Sequence, residues 1–454
     1  MRLIRVSLTL SVAAALGAAP LVAQTGLTIY NDGRVLVRRT LPSALPAGVS
    51  NHRLALGVLD PASIFALDSG VVLVGAAYDE SVDETNTMRR AVGQTLKFWT
   101  GQGSARDTIS ATVIGVNPER FKLADGRVVF QRPGLPLYPA ELILPDPTLS
   151  LAVRSGTARS TLRLGYFTQG AAWNAAYTVV LGKGSARVSG LAAIPSASLR
   201  VSDADIQLLA GSVGRAGPTP RRMEAFEGKV MADAMAQSAA VEQQVGEAHL
   251  YTIPGKLSLE PGVTSSVALF DPASAPWERA YVVRGQLSYY GPLPQYGNDE
   301  AQIPVEVWYT LKRQAKTPFG DLPLPMGSYR LYEPDDAGRL QLIGESAAGH
   351  VAPGNDVRLS AGSAFDLSAT RVQTSYSSRR DSTRTIATAD YRVTLKSAKD
   401  SVTTIEVLEE RGGEWSVLSS SQPAEKLSST RTRFRVRVPA HGEATLTYRV
   451  RVVW

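Results

Sequence analysis

The last third of the chain alternates apolar and polar residues over segments of strand length. In residues 305–312, four apolar residues stand at every second position: Val305, Val307, Tyr309 and Leu311. Successive side chains of a β-strand point to opposite faces of the sheet, so this period of two predicts half-buried strands. The same alternation recurs at 431–438 and 445–454. Helical spacing is found only near 222–245, and the pattern therefore predicts an all-β fold.

Turn residues and changes in composition divide the chain into tandem parts. We expect an N-terminal β segment (24–87), a small inserted β-barrel of SH3-like size (88–145), a central β-sandwich (146–312) and a C-terminal β-sandwich (313–454). The insertion is predicted from about five short strands separated by turns such as Asn117-Pro118 and Asp125-Gly126. The N-terminal segment is expected to pair with strands of residues 150–215.

Residues 216–247 interrupt the strand pattern. The segment is rich in Ala, Glu, Gln and Met and opens with Pro218 and Pro220. This composition predicts a long loop, either disordered or holding a marginal helix. The alternative is an amphipathic helix that docks a partner through adaptable methionine side chains.

The first 23 residues have the pattern of an export signal. Arg2 and Arg5 precede an apolar core from Val6 to Leu16, Pro20 follows, and small residues allow cleavage near Ala23/Gln24. A transmembrane anchor is the alternative, but the apolar run is shorter than the ~20 residues that span a bilayer. We therefore predict a periplasmic or secreted protein that is not transmembrane after cleavage.

Composition narrows the classes of function. The chain has no cysteine, which excludes disulfides, thiolate metal sites and a cysteine nucleophile. The formal net charge is +7, mild for 454 residues, and two of the positive charges lie in the export signal. A dedicated nucleic-acid binder shows a concentrated basic face, so nucleic acid is not a predicted partner, whereas an acidic envelope partner is compatible.

Motifs that would indicate catalysis or metal binding are absent from the sequence. The four histidines, His52, His249, His350 and His441, are scattered and form no His-Glu-x-x-His pair. A three-histidine site or a triad assembled in space stays open. Asp335-Asp336 could offer calcium ligands, but a β-turn is favoured. No catalytic residue, metal or cofactor is predicted.

Aromatic and basic residues supply the remaining candidates for binding. Trp173 and Tyr177 could form a sugar platform, although large aromatics on strands more often fill a core. Arginine occupies alternate positions in two segments: Arg431, Arg433, Arg435 and Arg437, then Arg449 and Arg451. If the two strands pair, six guanidiniums share one sheet face, suited to the carboxylates or phosphates of an acidic glycan or lipid headgroup. The alternative is a solvated face that discourages edge-to-edge pairing.

Blocks of sequence along the chain carry a resemblance to a known family. They include Ile29–Val37, Leu164–Tyr177, Leu322–Glu333 and Gly362–Thr374. Together they resemble a family of exported bacterial proteins of unknown function related to the C-terminal half of mucoidy-inhibitor A proteins. The chain departs from that family at Ala193–Ser198, where relatives tend to have an Asn-x-Ser-Gly turn. The resemblance implies β-sandwich domains in the cell envelope and carries no catalytic residues to transfer.

Three interpretations follow. The first is a non-enzymatic envelope protein of β-sandwich domains that binds an acidic polysaccharide, lipid headgroups or an envelope protein. The second is a secreted hydrolase of envelope polysaccharide, which would need paired carboxylates. The third is an outer-membrane β-barrel, suggested by the terminal Tyr448, Val450, Val452 and Trp454 and disfavoured by the Pro-rich interruptions.

Overall fold

The computed structural model describes residues 24–100, 107–211, 213–214, 239–285, 293, 295, 300–381 and 384–454. Strands account for 65% of the structure and helices for 4%, which confirms the predicted all-β fold. The predicted export signal lies outside the described residues, as does most of the predicted loop at 216–247. The described end of that loop contains a strand at Val241–Val245.

The elements up to residue 168 are mainly short strands. In chain order they are β1 (Gln24–Tyr30), β2 (Val35–Leu45), β3 (Gly48–Ala55), a 3-10 helix (Pro61–Ser63), β4 (Phe65–Ala66), β5 (Val71–Asp79), α1 (Glu84–Arg90), β6 (Thr95–Thr100), β7 (Asp107–Val116), β8 (Glu119–Leu123), β9 (Val128–Val129), β10 (Leu135–Leu137), a second 3-10 helix (Ala140–Leu142), β11 (Thr148–Ser155) and β12 (Arg159–Thr168).

Longer strands dominate the rest of the chain. They are β13 (Asn174–Leu181), β14 (Ser185–Ser196), β15 (Val201–Ala210), β16 (Val241–Val245), β17 (Ala248–Leu259), β18 (Val263–Arg284), β19 (Ala301–Ile303), β20 (Glu306–Leu311), α2 (Pro318–Asp321), β21 (Gly327–Pro334), β22 (Leu340–Ala348), β23 (Val357–Ser363), β24 (Leu367–Asp381), β25 (Arg384–Ser397), β26 (Thr403–Glu410), β27 (Glu414–Ser420), β28 (Ala424–Lys426), β29 (Arg431–Val438) and β30 (Glu443–Val453).

The chain divides into two compact units. The first takes in the described residues up to Ala172, with Ser196–Gln207 and Lys256–Gly262. In it, β2 pairs with β1 and β12, and β11 pairs with β3 and β5, so strands before the insertion pair with strands after it. Buried leucines of β1, β11 and β12 provide its apolar interior.

The insertion forms a separate small sheet within the first unit. Its described strands follow the order β10-β6-β7-β8-β9, which is an open sheet. Phe98 and Phe121 meet edge to face in its core, with Met88 from α1 packed against the same cluster. Helix α1 spans the boundary predicted between the N-terminal segment and the insertion. It is short, and Asp83 caps it by accepting a hydrogen bond from the Asn86 backbone N–H at 2.9 Å.

The second unit comprises Trp173–Pro195, Leu208–Gly255 and Val263–Trp454 and contains the candidate site. One sheet follows the order β22-β21-β13-β14-β18-β26-β29-β28, with β20 and β23 attached to β18, and another follows β19-β24-β25-β30-β27. The parallel pairs β13–β21 and β18–β26 carry the first sheet across residue 312, where the sequence suggested a domain boundary.

One apolar core joins residues of both sheets in the C-terminal part of this unit. Alternate residues of β26, β29 and β30 enter it, and the rings of Phe434 and Tyr448 stack with centroids 5.0 Å apart. The two sheets therefore stack as a sandwich, called here the C-terminal sandwich. None of the described sheets closes into a barrel.

Candidate binding face

The arginine rows of β29 and β30 lie on opposite sides of the C-terminal sandwich. Strand β29 pairs with β26 and β28, whereas β30 pairs with β25 and β27 in the other sheet. Because Phe434 and Tyr448 meet in the core between the sheets, the arginines that alternate with them point outward in opposite directions. Six guanidiniums on one face required pairing of β29 with β30, and this condition is not met in the described structure.

Carboxylates on neighbouring strands neutralise four of the six arginines. Arg433 contacts Glu406 at 3.0 Å and Glu425 at 2.8 Å, and Arg435 contacts Glu425 at 2.9 Å. The other two ion pairs are Arg431–Glu410 and Arg449–Asp390. The hydrogen bond from Arg433 lowers the pKa of Glu425, and the one from Arg449 lowers the pKa of Asp390. These carboxylates therefore stay charged at neutral pH.

Two arginines of the rows have no carboxylate partner among the described residues. Arg437 on β29 and Arg451 on β30 are exposed, and neither makes an ion pair with a described residue. They are thus the positions in the two rows where an external anion would displace no internal carboxylate.

A tryptophan with two arginines over its ring lies on the same outer face of the sheet as the arginines of β29. Trp308 lies on β20, where the Arg358 Cζ atom is 4.7 Å and the Arg284 Cζ atom 5.5 Å from the centroid of its ring. The indole N–H donates to Glu306 at 2.7 Å, and Arg284 Nε donates to the same carboxylate at 3.0 Å. This network fixes the ring, while the Arg358 side chain is exposed and makes no ion pair with a described residue.

Partial burial, followed by the nearby charge of Arg284, lowers the pKa of Arg358. Glu406 and Glu306 act in the opposite direction but do not offset these two causes. The period-two pattern at 305–312 already places Trp308 outward with Glu306. Arg358 could be found only from strand pairing, because it lies opposite Thr310 on the adjacent strand.

We call this surface the arginine–tryptophan face. It comprises Trp308, six arginines and four glutamates: Arg284, Arg358, Arg431, Arg433, Arg435, Arg437, Glu306, Glu406, Glu410 and Glu425. Among these ten charged residues the cations exceed the carboxylates by two, and Arg358 and Arg437 make no ion pair with a described residue. The face is therefore an ordered set of guanidiniums with residual positive charge.

The opposite outer face differs in composition. On β30, Arg449 is held by Asp390, and Arg451 lies between Thr388 and Ser416 of the adjacent strands. Arg392 is exposed beside Thr447 and makes no ion pair with a described residue. This face offers separate cations among hydroxyl groups and serves below as a control surface.

A second arginine–glutamate cluster lies inside the sandwich. Arg371 Nη2 donates to Glu409 at 3.0 Å and Arg371 Nε to the Tyr448 hydroxyl at 3.1 Å, while Tyr448 itself donates to Glu409. The Arg371 guanidinium also covers the Tyr391 ring at 3.9 Å. A Cβ atom on Gly285 would come within 2.3 Å of a Glu409 oxygen, so glycine leaves the space this carboxylate needs. The cluster joins the two sheets.

The predicted aromatic alternatives are resolved in favour of the core. Trp173 and Tyr177 are each 2% exposed. Trp173 donates its indole N–H to the Leu209 carbonyl, and the Tyr177 hydroxyl donates to the Pro325 carbonyl. The prediction that these residues pack inside is confirmed.

The histidines and Asp335 take part in local hydrogen bonds. His52 bonds Ser43 and Ser50, and His441 bonds Asp400. His249 contacts Glu242 at 2.8 Å. Among the residues that the structure describes, no three metal-ligating side chains are grouped to hold a metal ion.

Asp335 closes the turn between β21 and β22. Its side chain accepts hydrogen bonds from the backbone N–H groups of Ala337 and Arg339. The predicted turn is confirmed.

Comparisons with protein families and with curated proteins found no match, so the interpretation of the arginine–tryptophan face rests on its geometry. The resemblance to the mucoidy-inhibitor A relatives stays a prediction. Over the described residues, no helix combines the length and apolarity needed to cross a bilayer.

Proposed function

We propose that this chain is an exported, non-enzymatic binding module of the bacterial envelope, and that its arginine–tryptophan face holds an anionic envelope component. The observation that carries the proposal is a pair of exposed arginines, Arg358 and Arg437, on a face already lined with guanidiniums; neither makes an ion pair with a residue that the structure describes. Guanidinium forks match carboxylate and phosphate oxygens in geometry as well as charge. Export rests on the signal-like residues 1–23.

The internal ion pairs support the same function. Arg433 and Arg435 are held in place by Glu406 and Glu425, so less side-chain freedom is lost when a ligand arrives. The interaction takes place at an exposed surface, where salt screens charges over about 8–10 Å. Binding should therefore weaken steeply as salt is added.

The test is co-sedimentation of the mature chain, starting at Gln24, with isolated envelope fractions across a salt series. The double variant Arg358→Gln/Arg437→Gln removes both unpaired cations of the arginine–tryptophan face. The control, Arg392→Gln/Arg451→Gln, removes two exposed cations from the opposite face and changes the net charge equally. We expect the first variant to lose about tenfold or more in affinity, equivalent to about 1.4 kcal/mol, and the control to change little.

Two results would contradict the proposal. Equal losses in both variants would show that net charge, not this face, governs binding. Absence of binding by the unmodified chain at low salt would remove the function itself. Export has its own test, because fractionation of cells that produce the full chain should place a shortened protein outside the cytoplasm.

A further inference from the structure

We infer that the ligand of the arginine–tryptophan face is an acidic sugar chain lying across the strands, an inference that rests on the function proposed above. Strand pairing sets a row of outward side chains across five strands. Trp308 lies opposite Ser360 on β23 and opposite Ala280 on β18. On the far side, Thr404 of β26 lies opposite Arg437 of β29.

The pairing of β18 with β26 joins the two halves of this row. Val282 lies opposite both Glu306 and Glu406. Ala280 and Thr404 are two residues before Val282 and Glu406, so they face the same side of the sheet. The row therefore reads Ser360, Trp308, Ala280, Thr404 and Arg437, with Arg358 beside Trp308.

The chemistry of the row suits a carbohydrate. Trp308 stays partly exposed beside its two arginines, and this part of the indole can pack against the apolar face of a sugar ring. Hydroxyls such as those of Ser360 and Thr404 can exchange hydrogen bonds with sugar hydroxyls. Ala280 has a small side chain, so it leaves space beside Trp308 for a sugar ring. Trp308 is fixed through Glu306, which reduces the ordering cost of stacking.

The separation of the strands that carry Arg358 and Arg437 favours a chain over a single headgroup. Arg358 is on β23 and Arg437 on β29, four strand steps apart in the order β23-β20-β18-β26-β29. At about 4.8 Å per step, the strands that carry them are roughly 19 Å apart. One phosphate or one lipid headgroup covers only part of this distance, whereas a polymer with spaced acids can follow the row from one strand to the other.

The neighbouring carboxylates favour spaced charge over dense charge. Glu306 and Glu406 flank Val282 in the next row of the same face. Each is paired with an arginine, so a polyanion that carries a charge at every position would have to compete with both carboxylates for those guanidiniums. A sugar chain with carboxylates set apart by its rings places acid groups near Arg358 and Arg437 and neutral rings between them.

The experiment uses the mature chain with three probes: oligogalacturonates of graded length, their methyl-esterified neutral counterparts, and inorganic polyphosphate. Affinity is measured by titration calorimetry. We expect binding of the acidic oligomers to strengthen with length until the oligomer spans roughly 19 Å and then to level off. The esterified oligomers and polyphosphate should bind more weakly.

Variants separate sugar stacking from charge. Trp308→Ala should weaken oligogalacturonate binding about tenfold, equivalent to about 1.4 kcal/mol, while Trp308→Phe keeps most of the affinity. Trp454→Ala removes another partly exposed indole and should leave binding unchanged. Thr404→Val, which replaces a hydroxyl by a methyl group at an exposed strand position, tests the row if Trp308→Ala fails to fold.

The outcomes distinguish this inference from the function on which it rests. If the acidic oligomers bind without length dependence, or if Trp308→Ala and Thr404→Val both bind them fully, the sugar chain is wrong. Tighter binding of polyphosphate or of an acidic protein would also overturn it. In each case, arginine-dependent binding to envelope fractions would still support the proposed function. Absence of that binding would contradict both the proposed function and the sugar-chain inference.

Discussion

Arginine and glutamate meet both inside the C-terminal sandwich and on its outer face, and the two places give the pairs different roles. Inside, Arg371 and Glu409 lie 3.0 Å apart, with side chains that are 6% and 0% exposed. Outside, Arg433 and Glu425 lie 2.8 Å apart, but the Glu425 side chain is 45% exposed. Since the distances are similar, access of water separates the two pairs.

The difference in exposure decides which of the two pairs can take part in ligand binding. A buried ion pair has lost its hydration, so neither partner can leave without exposing an uncompensated charge in the core. An exposed pair is close to neutral in energy and exchanges partners with ions and ligands from solution. The inner cluster therefore holds the sheets together, whereas the guanidiniums of the outer pair remain accessible to a ligand.

Removing the inner carboxylate should produce the largest loss of stability and so tests this contrast most directly. Glu409→Ala leaves Arg371 charged and unpaired in the core, and we expect unfolding to become easier by about 3–5 kcal/mol. Urea unfolding monitored by circular dichroism measures the loss. The double variant Arg371→Met/Glu409→Leu removes both charges and should recover most of it. A mild effect of the single variant would break the contrast.

The tyrosine of the inner cluster should respond to alkali. Burial, and then the charge of Glu409, raises the pKa of Tyr448 well above its usual value. The unfolded chain loses this proton near pH 10 while the folded chain keeps it, so stability falls as pH rises above about 10. Tyr448→Phe should cost about 1–3 kcal/mol at neutral pH and flatten the alkaline decline. Unfolding free energies at a series of pH values test both; an unchanged alkaline slope would contradict the assignment.

The outer pair should show the smallest effect on stability. Arg433→Gln breaks its contacts with Glu406 and Glu425, but both carboxylates regain water, so the loss should be several-fold smaller than for Glu409→Ala. Binding to envelope fractions should nevertheless weaken, because two carboxylates lose their nearest cation on the arginine–tryptophan face. Thermal unfolding and co-sedimentation of the same preparation provide the two readouts. A large stability loss with intact binding would reverse the roles assigned to the two pairs.

The sequence pattern predicted well which side chains face the core, but it predicted poorly which residues contact each other. The alternation at 431–438 predicts Phe434, Val436 and Val438 inside, and all three are buried in the core. Helix α1 was missed because seven residues are too few to show a helical period; packing of Met88 and the cap at Asp83 stabilise it. The bracket around Trp308 was missed because Arg358 lies 50 residues further along the chain and meets it only through strand pairing.

The sequence by itself determined that this protein is built from strands, and which side of each strand avoids water. The reason is that a period of two is a local property, set by the backbone geometry of one strand. Only the tertiary structure decided that β29 and β30 belong to different sheets, which placed their arginines on opposite outer faces. It also decided which guanidinium meets which carboxylate. Pairing partners are chosen by a core assembled from distant segments, and no single strand carries that information.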